Sequence, residues 1–338
     1  MKVLVTGGAG YIGSHTTVEL LEKGYDVVII DNLSNSSLDV LQRIKEITGK
    51  SPSFFQFDLC DEEKVKSFFE AEKDIDAIIH FAAFKAVGES VEDPLKYYRN
   101  NLGSLVNILA ATKNYSSLKS FVFSSSCTVY GQPDELPVTE NSPVKPAESP
   151  YGHTKQVGEE ILKNVSLQSK FPIIALRYFN PIGAHKSALI GELPNGIPNN
   201  LVPYITQTAI GKRETLSVFG NDYNTPDGSC IRDFIHVVDL AKAHVISIER
   251  AINKNNKNNF EVFNIGTGIG YSVLQLITTF IETTKMHLNY KIVERRQGDI
   301  EKIYAETTLA NNELGWKAEL NLSQMLQSAW EWEKFLNK

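Results

Sequence analysis

Cysteine is scarce in this sequence: the 338 residues include only Cys60, Cys127 and Cys230. Their number is odd, the three positions are far apart, and none belongs to a metal-ligand pattern. The sequence therefore argues against a disulfide framework and against a zinc site. Free cysteines of this kind are typical of a reducing compartment, so we expect a cytoplasmic protein that holds no metal.

Positive charge and long apolar runs are also scarce. Lysine and arginine number 34 against 40 aspartate and glutamate residues, a net charge of -6, which argues against a nucleic-acid partner held by phosphate neutralisation. No run of about 20 apolar residues is present to span a bilayer. The apolar start of the chain breaks at Gly7, which is too short for a signal peptide. We expect a soluble, unprocessed chain with no membrane partner.

Glycine, in contrast, is concentrated near the N-terminus, in VTGGAGYIGSH at residues 5–15. The preceding MKVLVT has the composition of a buried parallel strand, and the following SHTTVELLEKG has apolar residues at helical spacing with Gly24 as its stop. The glycines fit both the GxGxxG and the GxxGxxG spacing. A glycine turn between strand and helix lets the backbone approach a pyrophosphate at the positive end of the helix dipole.

The next strand supports a dinucleotide as the ligand of this turn. YDVVII ends at Asp31, about 20 residues beyond the glycines, where an acidic side chain accepts hydrogen bonds from the adenosine ribose hydroxyls. The same carboxylate repels a 2′-phosphate. The pattern therefore predicts NAD rather than NADP.

Apolar, β-rich runs alternate with helical patterns along the first half of the chain. SFFQFDL, IDAIIHFAA, KSFVFSSS and FPIIALRYF follow the first two strands, and this alternation predicts an α/β fold with a doubly wound, parallel, Rossmann-type sheet. We predict an NAD-binding domain over residues 1–180, with a return segment at about 233–262. Residues 181–232 and 263–338 are expected to form a smaller mixed α/β substrate lobe. The proline-rich segment 132–150 is a candidate lid.

The stretch SPYGHTK carries the predicted chemistry. Ser149 and Pro150 are typical of a helix start, and Tyr151 and Lys155 then lie four residues apart on one helix face. A tyrosine of pKa about 10 is a poor base near neutrality, but one cation at ~4 Å is worth on the order of 4 kcal/mol, roughly three pKa units. Lys155, assisted by oxidised nicotinamide, is therefore predicted to bring the pKa of Tyr151 to about 7. Ser126, the last serine of SSSCTVYG, is placed to hydrogen-bond the same substrate oxygen.

Segments along the whole chain carry a resemblance to a known family: TGGAGYIGSH, HFAAFKAVGES, SSSCTVYG, SPYGHTK, RYFNPIGAH, GIPNNLVPY, IRDFIHVVDLA and RRQGD. In this order they resemble the UDP-glucose 4-epimerases of the extended short-chain dehydrogenase/reductase family. The resemblance implies a tightly held NAD and the interconversion of UDP-glucose and UDP-galactose. The steps implied are transient oxidation at sugar C4, rotation of the 4-ketose and return of the hydride to its other face. A homodimer formed through helices of the main domain is implied as well.

The resemblance assigns both ligands to positions of this chain. For NAD these are Gly7, Gly10, Gly13, Tyr11 and Ile12 at the pyrophosphate turn, Asp31 and Asn32 at the adenosine ribose, Asp58 and Leu59 at the adenine, and Lys85 at the nicotinamide ribose, together with Phe81, Ala82, Asn100, Ser124, Tyr151, Lys155 and Tyr178. For the UDP-sugar they are Ser126, Tyr151, Phe179, Asn180, Asn200, Leu201, Arg232, Arg296, Asp299 and Ile303. Two guanidinium groups suit a diphosphate. A local ion pair with Asp233 is the alternative role of Arg232.

Ile303 departs from the family's two common patterns, in which a bulky tyrosine excludes N-acetylated sugars and a small cysteine or serine admits them. An isoleucine predicts efficient use of UDP-glucose and UDP-galactose, with weaker use of the N-acetylhexosamine pair. Two other functions stay open: a nucleotide-sugar 4,6-dehydratase and a non-catalytic NAD-binding regulator. The dehydratases have an Asp-Glu pair where this chain has Cys127 after Ser126, and the nearest carboxylates, Asp134 and Glu135, lie in the proline-rich segment. A regulator has no need of the serine, the tyrosine and the lysine together.

Overall fold

The computed structural model describes residues 1–296 and 299–338. Its strands are β1 (Lys2–Thr6), β2 (Asp26–Asp31), β3 (Ser53–Gln56), β4 (Ile75–His80), β5 (Ser120–Ser124), β6 (Ile173–Tyr178), β7 (Asn180–Ile182), β8 (Leu216–Phe219), β9 (Ile231–His236), β10 (Phe260–Ile265), β11 (Gly270–Ser272), β12 (Tyr290–Val293) and β13 (Lys302–Ile303). Its helices are α1 (Tyr11–Glu22), α2 (Asp39–Thr48), α3 (Glu62–Ala71), α4 (Val87–Glu92), α5 (Pro94–Thr112), α6 (Pro150–Ser166), α7 (Leu201–Ala209), α8 (Val237–Ile252), α9 (Val273–Thr284) and α10 (Leu322–Leu336). A 3-10 turn spans Cys127–Tyr130 and a π-helical turn spans Ala310–Leu314. Among the described helices, none combines the length and the apolar composition that crossing a bilayer requires.

A parallel sheet forms the centre of the larger lobe. Its seven strands follow the order β10-β6-β5-β4-β1-β2-β3, and each neighbouring pair runs parallel. Helices cover both faces, so Val3 and Ile79 belong to one apolar cluster while Leu4 and Ile78 belong to another. The doubly wound, Rossmann-type fold predicted from the sequence is confirmed, and β10 adds a seventh strand at the edge.

The strand order reverses beside β1. The chain moves outward from β1 to β2 and β3 and then returns to β4 on the other side of β1. The carboxyl ends of β1 and β4 therefore open into a crevice, which is where ligands bind in sheets of this kind. α1 begins at Tyr11, so Gly13 lies inside its first turn rather than before the helix as the sequence suggested. Gly24, with a φ of 85°, follows the end of α1 as predicted.

The smaller lobe is built around a mixed sheet. β9 pairs in parallel with β7 and β13 and antiparallel with β11, while β8 and β12 form a separate parallel pair. Phe234, Phe280 and Trp330 belong to the apolar cluster of this lobe. A smaller mixed lobe was expected from the sequence, and it is present.

The segment predicted to return to the main domain, at about residues 233–262, contributes to both lobes. Its strand, β9, pairs with strands of the smaller sheet. The helix that follows, α8, packs against α1 of the main domain. β10 belongs to the main sheet and continues to Ile265, beyond the predicted limit at residue 262. The chain therefore crosses between the lobes where β9 passes into α8.

The proline-rich segment, residues 132–149, is irregular but firmly held. Val138 N donates to the Tyr304 carbonyl at 3.0 Å, and the Val138 carbonyl accepts from Glu306 N at 2.7 Å and from Asn264 Nδ2 at 2.9 Å. Val138 itself is fully buried. We call residues 132–149 the wall segment; these hydrogen bonds of Val138 would have to break before the segment could open as the lid that the sequence suggested.

Candidate active site

The glycine-rich turn leads from β1 into α1 at the crevice. Gly7 has a φ of 69°, and a Cβ there would lie 2.9 Å from the backbone nitrogen of Ala82. A Cβ on Gly13 would lie 2.2 Å from the Gly7 carbonyl oxygen. Glycine is therefore required at both positions, and the backbone forms a tight cradle. Gly10 caps α1 without a side chain, which leaves the first N–H groups and the positive dipole end of the helix to attract an anion.

A cavity of about 470 Å³ lies over this cradle. Its volume is within the range of about 300–1,000 Å³ that is usual for small-molecule sites. Its lining contains all of the residues predicted to contact NAD: Gly7, Gly10, Tyr11, Ile12, Gly13, Asp31, Asn32, Asp58, Leu59, Phe81, Ala82, Lys85, Asn100, Ser124, Tyr151, Lys155 and Tyr178. The fold thus brings these positions from six strand ends to one place, although their contacts with NAD stay a prediction.

Asp31 ends β2 at this cavity with its carboxylate already oriented. Three hydrogen bonds hold it, from Ala9 N at 3.1 Å, from Leu33 N at 2.9 Å and from Ser36 Oγ at 2.9 Å. A fixed, buried anion suits ribose hydroxyls and disfavours a phosphate. Arg43 also lines the cavity, but its guanidinium stacks over Trp332 at 5.3 Å. The residues present therefore fit an adenosine ribose without a 2′-phosphate.

The helix α6 carries the tyrosine and the lysine. Ser149 caps it and Pro150 lies in its first turn, as predicted. Tyr151 and Lys155 line the cavity and are 7 % and 4 % exposed. Lys155 Nζ donates to the Ser124 carbonyl at 2.7 Å and lies 5.9 Å from the centre of the Tyr151 ring. The two side chains therefore share one buried face, with the lysine anchored to the end of β5.

Burial dominates the ionisation of this pair. It raises the pKa of Tyr151 well above its usual value, and the neighbouring Ser126 hydroxyl counters this only in part. Burial also lowers the pKa of Lys155 to about 8, although the negative charge of Glu159 opposes that change. Lys155 alone does not offset the burial of the tyrosine. The predicted lowering of the Tyr151 pKa therefore requires the second positive charge that the prediction included.

Ser126 occupies the start of the 3-10 turn. Its Oγ accepts a hydrogen bond from Thr128 N at 3.2 Å. Because the oxygen is the acceptor in this contact, the O–H group can still donate. Ser126 is buried next to Tyr151, so one ligand oxygen can contact both hydroxyl groups.

Several residues predicted for the UDP-sugar meet on the side of the smaller lobe. Ile303 is paired with Arg232 across β13 and β9, and it packs in one apolar cluster with Phe179 and Cys127. The Asp233 carboxylate accepts its hydrogen bonds from Thr267, Gly268 and Ala305. Among the described residues it forms no ion pair with Arg232. The guanidinium of Arg232 is therefore not engaged in the local ion pair that was its alternative role.

The remaining predicted substrate residues lie at element ends or near the C-terminal side of β12. Asn180 opens β7, and Asn200 precedes Leu201, the first residue of α7. Arg296 Nη2 donates to Asp299 Oδ1 at 2.6 Å. Within the described residues, Tyr151 and Asn200 are the predicted substrate residues that also line the cavity. The assignment of the others to a UDP-sugar stays a prediction.

Glu192 is a site residue that sequence reasoning missed. Its carboxylate accepts hydrogen bonds from Lys85 Nζ at 2.9 Å and from Asn200 Nδ2, so it links a residue predicted for NAD with one predicted for the UDP-sugar. Trp332 Nε1 donates to the Glu192 carbonyl at 2.8 Å. Glu192 belongs to no motif in the sequence. The packing of α10 places it at the cavity, and the sequence carries no local signal for that packing.

Comparison with known proteins decides the family. The UDP-glucose 4-epimerase of Bacillus subtilis strain 168 is 52% identical over 334 residues, which cover 98% of this chain and 97% of that protein. The crystal structure of the UDP-glucose 4-epimerase of Bifidobacterium longum in complex with NAD+ and UDP is similar with a TM-score of 0.94 and 47% identity, covering 99% of this chain and 98% of that one. The enzyme of Stenotrophomonas maltophila, with bound NAD and formylated UDP-arabinopyranose, gives 0.95 and 46%, covering 100% and 99%. This chain belongs to the UDP-glucose 4-epimerase family.

Membership of the UDP-glucose 4-epimerase family confirms the resemblance carried by the sequence motifs. The family model described as GDP-mannose 4,6 dehydratase also matches, over residues 4–329, but the site lacks the dehydratase pair. Cys127 and Thr128 follow Ser126, and neither is a carboxylic acid. Asp134 and Glu135 are exposed in the wall segment, and Asp134 pairs with Lys145. The site is therefore that of an epimerase rather than of a dehydratase.

Proposed function

We propose that this protein interconverts UDP-glucose and UDP-galactose with NAD as its cofactor. The observation that carries the proposal is the placement of the glycine turn, Tyr151 and Lys155 around one cavity at the point where the strand order reverses. The enzymes of Bacillus subtilis and Bifidobacterium longum support it, because they are UDP-glucose 4-epimerases of nearly the same length. The larger lobe would hold NAD and the smaller lobe the UDP-sugar.

The cofactor would be held by backbone as much as by side chains. The turn from Gly7 to Gly13 and the start of α1 bind the pyrophosphate, while Asp31 and Asn32 accept hydrogen bonds from the adenosine ribose hydroxyls. Asp58 Oδ2 already accepts from Asn32 Nδ2 at 3.1 Å, which orients the amide. Bound there, NAD would supply the acceptor, and later the donor, of the hydride at C4 of the sugar.

Tyr151 acts as the general base and then as the general acid of the reaction. It removes the proton of the sugar 4-hydroxyl and later returns it. The sugar undergoes no net oxidation because the hydride lost from C4 is returned as well. Lys155 stabilises the ionised tyrosine, and Ser126 hydrogen-bonds the same sugar oxygen. Arg232 and Arg296 hold the diphosphate with charge-assisted hydrogen bonds. An anchor at the diphosphate leaves the uncharged sugar free to turn and present its other face.

Ile303 limits the choice of sugar. It is almost fully buried against Phe179 and Cys127, so its side chain occupies space that a smaller residue would leave open. We infer that UDP-glucose and UDP-galactose are used efficiently and that the N-acetylhexosamine pair is used more weakly. Equal efficiency on the two pairs would contradict this ordering.

A homodimer and a cytoplasmic location complete the proposal. On α5, Leu95 and Val106 are exposed, and their spacing places them with the half-exposed Leu102 along one helical stripe. An exposed apolar stripe of this kind is suited to self-association. The free thiols of Cys60, Cys127 and Cys230 support a reducing compartment. Light scattering coupled to size-exclusion chromatography measures the mass of the assembly, and a monomer at all concentrations contradicts the dimer.

The direct test is to incubate the purified protein with UDP-galactose, without added NAD, and to follow UDP-glucose by proton NMR. Equilibration from either direction supports an epimerase that carries its own cofactor. A parallel sample with UDP-N-acetylglucosamine measures what Ile303 permits. No conversion after NAD is supplied would refute the proposal, and bound NAD without turnover would favour a regulator instead.

A further inference from the structure

A buried ion pair lies behind the catalytic residues and has no part in the reaction described above. Glu159 is on α6, one turn beyond Lys155 and two turns beyond Tyr151. Its carboxylate accepts from Arg177 Nε at 3.0 Å and from Arg177 Nη2 at 2.6 Å, and the two side chains are 9% and 7% exposed. A two-pronged contact of this kind fixes both groups in direction as well as in distance.

The ion pair is connected to the three-serine segment of the active site. Ser125 Oγ donates to Glu159 Oε1. On one side of it, the Ser124 carbonyl accepts from Lys155 Nζ at 2.7 Å, and on the other side Ser126 starts the 3-10 turn. Glu159 therefore holds the middle residue of this segment. One end of the segment, Ser124, contacts Lys155, and the other end lies next to Tyr151.

Arg177 extends the same network toward the smaller lobe. Its Nη1 donates to Tyr130 Oη at 3.1 Å and to the Glu140 carbonyl of the wall segment at 3.2 Å. Tyr130 Oη in turn donates to Asn264 Oδ1 at 2.6 Å. Arg177 thus joins α6, the 3-10 turn, the wall segment and β10. A shift of Arg177 would disturb the hydrogen bonds that join these four elements.

The charge of Glu159 matters for Lys155. Glu159 forms an ion pair with the Arg177 guanidinium, Nη2 to Oε2 at 2.6 Å, and its carboxylate lies one helical turn from Lys155. The other titratable groups that face the lysine and tyrosine are Tyr151 on α6, His80 on β4, Tyr178 on β6, Tyr97 on α5 and Cys127 in the 3-10 turn. Burial shifts the pKa of each of these five toward the neutral form. Among the described residues, Glu159 is the negative charge that opposes the desolvation of Lys155.

We propose that Glu159 is a positioning residue of this active site, which holds the Ser124–Ser126 segment in place and helps to keep Lys155 a cation, with Arg177 as its counter-charge. The kinetic part of this proposal rests on the proposed function. The part that concerns the charge of Lys155 does not, because it can be measured without turnover.

The chain offers a matched control. Glu261 on β10 is 8% exposed and forms the same kind of pair, accepting from Arg250 Nε at 2.7 Å and from Arg250 Nη2 at 3.0 Å. It is absent from the lining of the described cavity. Glu159→Gln and Glu261→Gln therefore each remove one buried arginine–glutamate charge pair, but only the first lies next to the catalytic lysine.

The charge of Lys155 is read by NMR on NAD-bound protein labelled with ¹³C-lysine, with the resonance assigned through Lys155→Met. In Glu159→Gln, the titration midpoint of Lys155 should fall by about one pH unit, because an opposite charge has been removed. In Glu261→Gln it should stay at the wild-type value. The alkaline limb of the kcat profile should move with the midpoint. At neutral pH, kcat for UDP-galactose in Glu159→Gln should fall roughly ten- to a hundredfold, with KM nearly unchanged.

Ser125→Ala tests the positioning role separately and keeps the ion pair intact. Ser125→Ala should lower kcat without moving the titration midpoint of Lys155. An unchanged kcat in Ser125→Ala overturns the positioning role, and this test holds even where Glu159→Gln fails to fold. An unchanged midpoint in Glu159→Gln, or an equal shift in Glu261→Gln, overturns the charge role. A wild-type protein that does not convert UDP-galactose refutes the proposed function, while the titration still decides the role of Glu159.

Discussion

We expect this protein to lose stability in mild acid because several of its histidines are buried in their neutral form. His15 and His80 are almost fully buried, and burial lowers the pKa of each to about 3. Burial lowers the pKa of His236 and of His244 to about 4. Within the described residues, Nε2 of His15 and Nε2 of His244 have no hydrogen-bond partner. A proton added to either nitrogen would therefore find no acceptor.

The size of the effect follows from proton linkage. An unfolded chain protonates its histidines at about pH 6.5. Because the pKa values of the folded chain are lower, stability is present above that pH and is lost as the pH falls from about 6.5 toward 4. Below pH 6.5, protonation linkage at each histidine lowers the free energy of unfolding by about 1.4 kcal/mol per pH unit, so the four together lower it by about 8 kcal/mol at pH 5 relative to pH 7. A loss of that size is comparable to a whole folding free energy of about 5–15 kcal/mol.

Other buried groups modify this total. Burial lowers the pKa of His185 as well, which adds to the loss. Burial raises the pKa of Asp233 and of Glu140, so these carboxyls take up protons in the folded chain before they do in the unfolded one. They therefore offset part of the loss at the acidic end of the range.

Urea unfolding at pH 7, 6 and 5, followed by far-UV circular dichroism, measures the free energy of unfolding at each pH. The NAD concentration is held constant because a bound ligand raises stability. His244→Gln keeps a polar side chain and removes one titrating group, so the pH dependence between pH 6 and 5 should weaken by about 1.4 kcal/mol per pH unit. A change of less than about 2 kcal/mol between pH 7 and pH 5 in the wild type would contradict this prediction, because it would mean that most of these histidines stay protonated in the fold.

Three further predictions concern the active site. Tyr151→Phe removes the proton carrier but keeps the ring, so turnover should fall roughly 10²- to 10⁴-fold. The NAD content of the purified protein, measured after the NAD is released, should stay at the wild-type level. Unchanged turnover would mean that the tyrosine has no part in the mechanism. Gly13→Ala places a Cβ 2.2 Å from the Gly7 carbonyl and should abolish NAD binding in calorimetry. Gly88→Ala is the control: its Cβ meets no atom within 4 Å, so NAD binding should be retained. Ile303→Ser opens space beside the sugar site and should raise the rate on UDP-N-acetylglucosamine relative to UDP-glucose in the NMR assay; a constant ratio contradicts the assignment of Ile303.

The features that sequence reasoning predicted well are local. The strand, glycine turn and helix at the N-terminus depend on residues within about one element length, and so do the cap at Ser149 and the pair Tyr151 and Lys155 on α6. Asp31 was found because it ends the strand next after the turn. Short-range spacing determines which face of a helix, or which end of a strand, a residue occupies. For a parallel sheet, that is sufficient to bring the NAD residues to one edge.

The features that sequence patterns did not predict depend on contacts between distant parts of the chain. The pairing of β9 with the smaller sheet could not be predicted from the sequence, because the pattern of a strand does not indicate which strand lies beside it. Glu192 reaches Lys85 across 107 positions, and Arg177 connects Glu159 with the wall segment. The positions of these charged side chains depend on how helices and lobes pack, and no periodicity in the sequence encodes that packing. Local patterns in the sequence thus predicted the fold class, the family and the candidate reacting groups, whereas the electrostatic surroundings of those groups depend on contacts that form only in the folded chain.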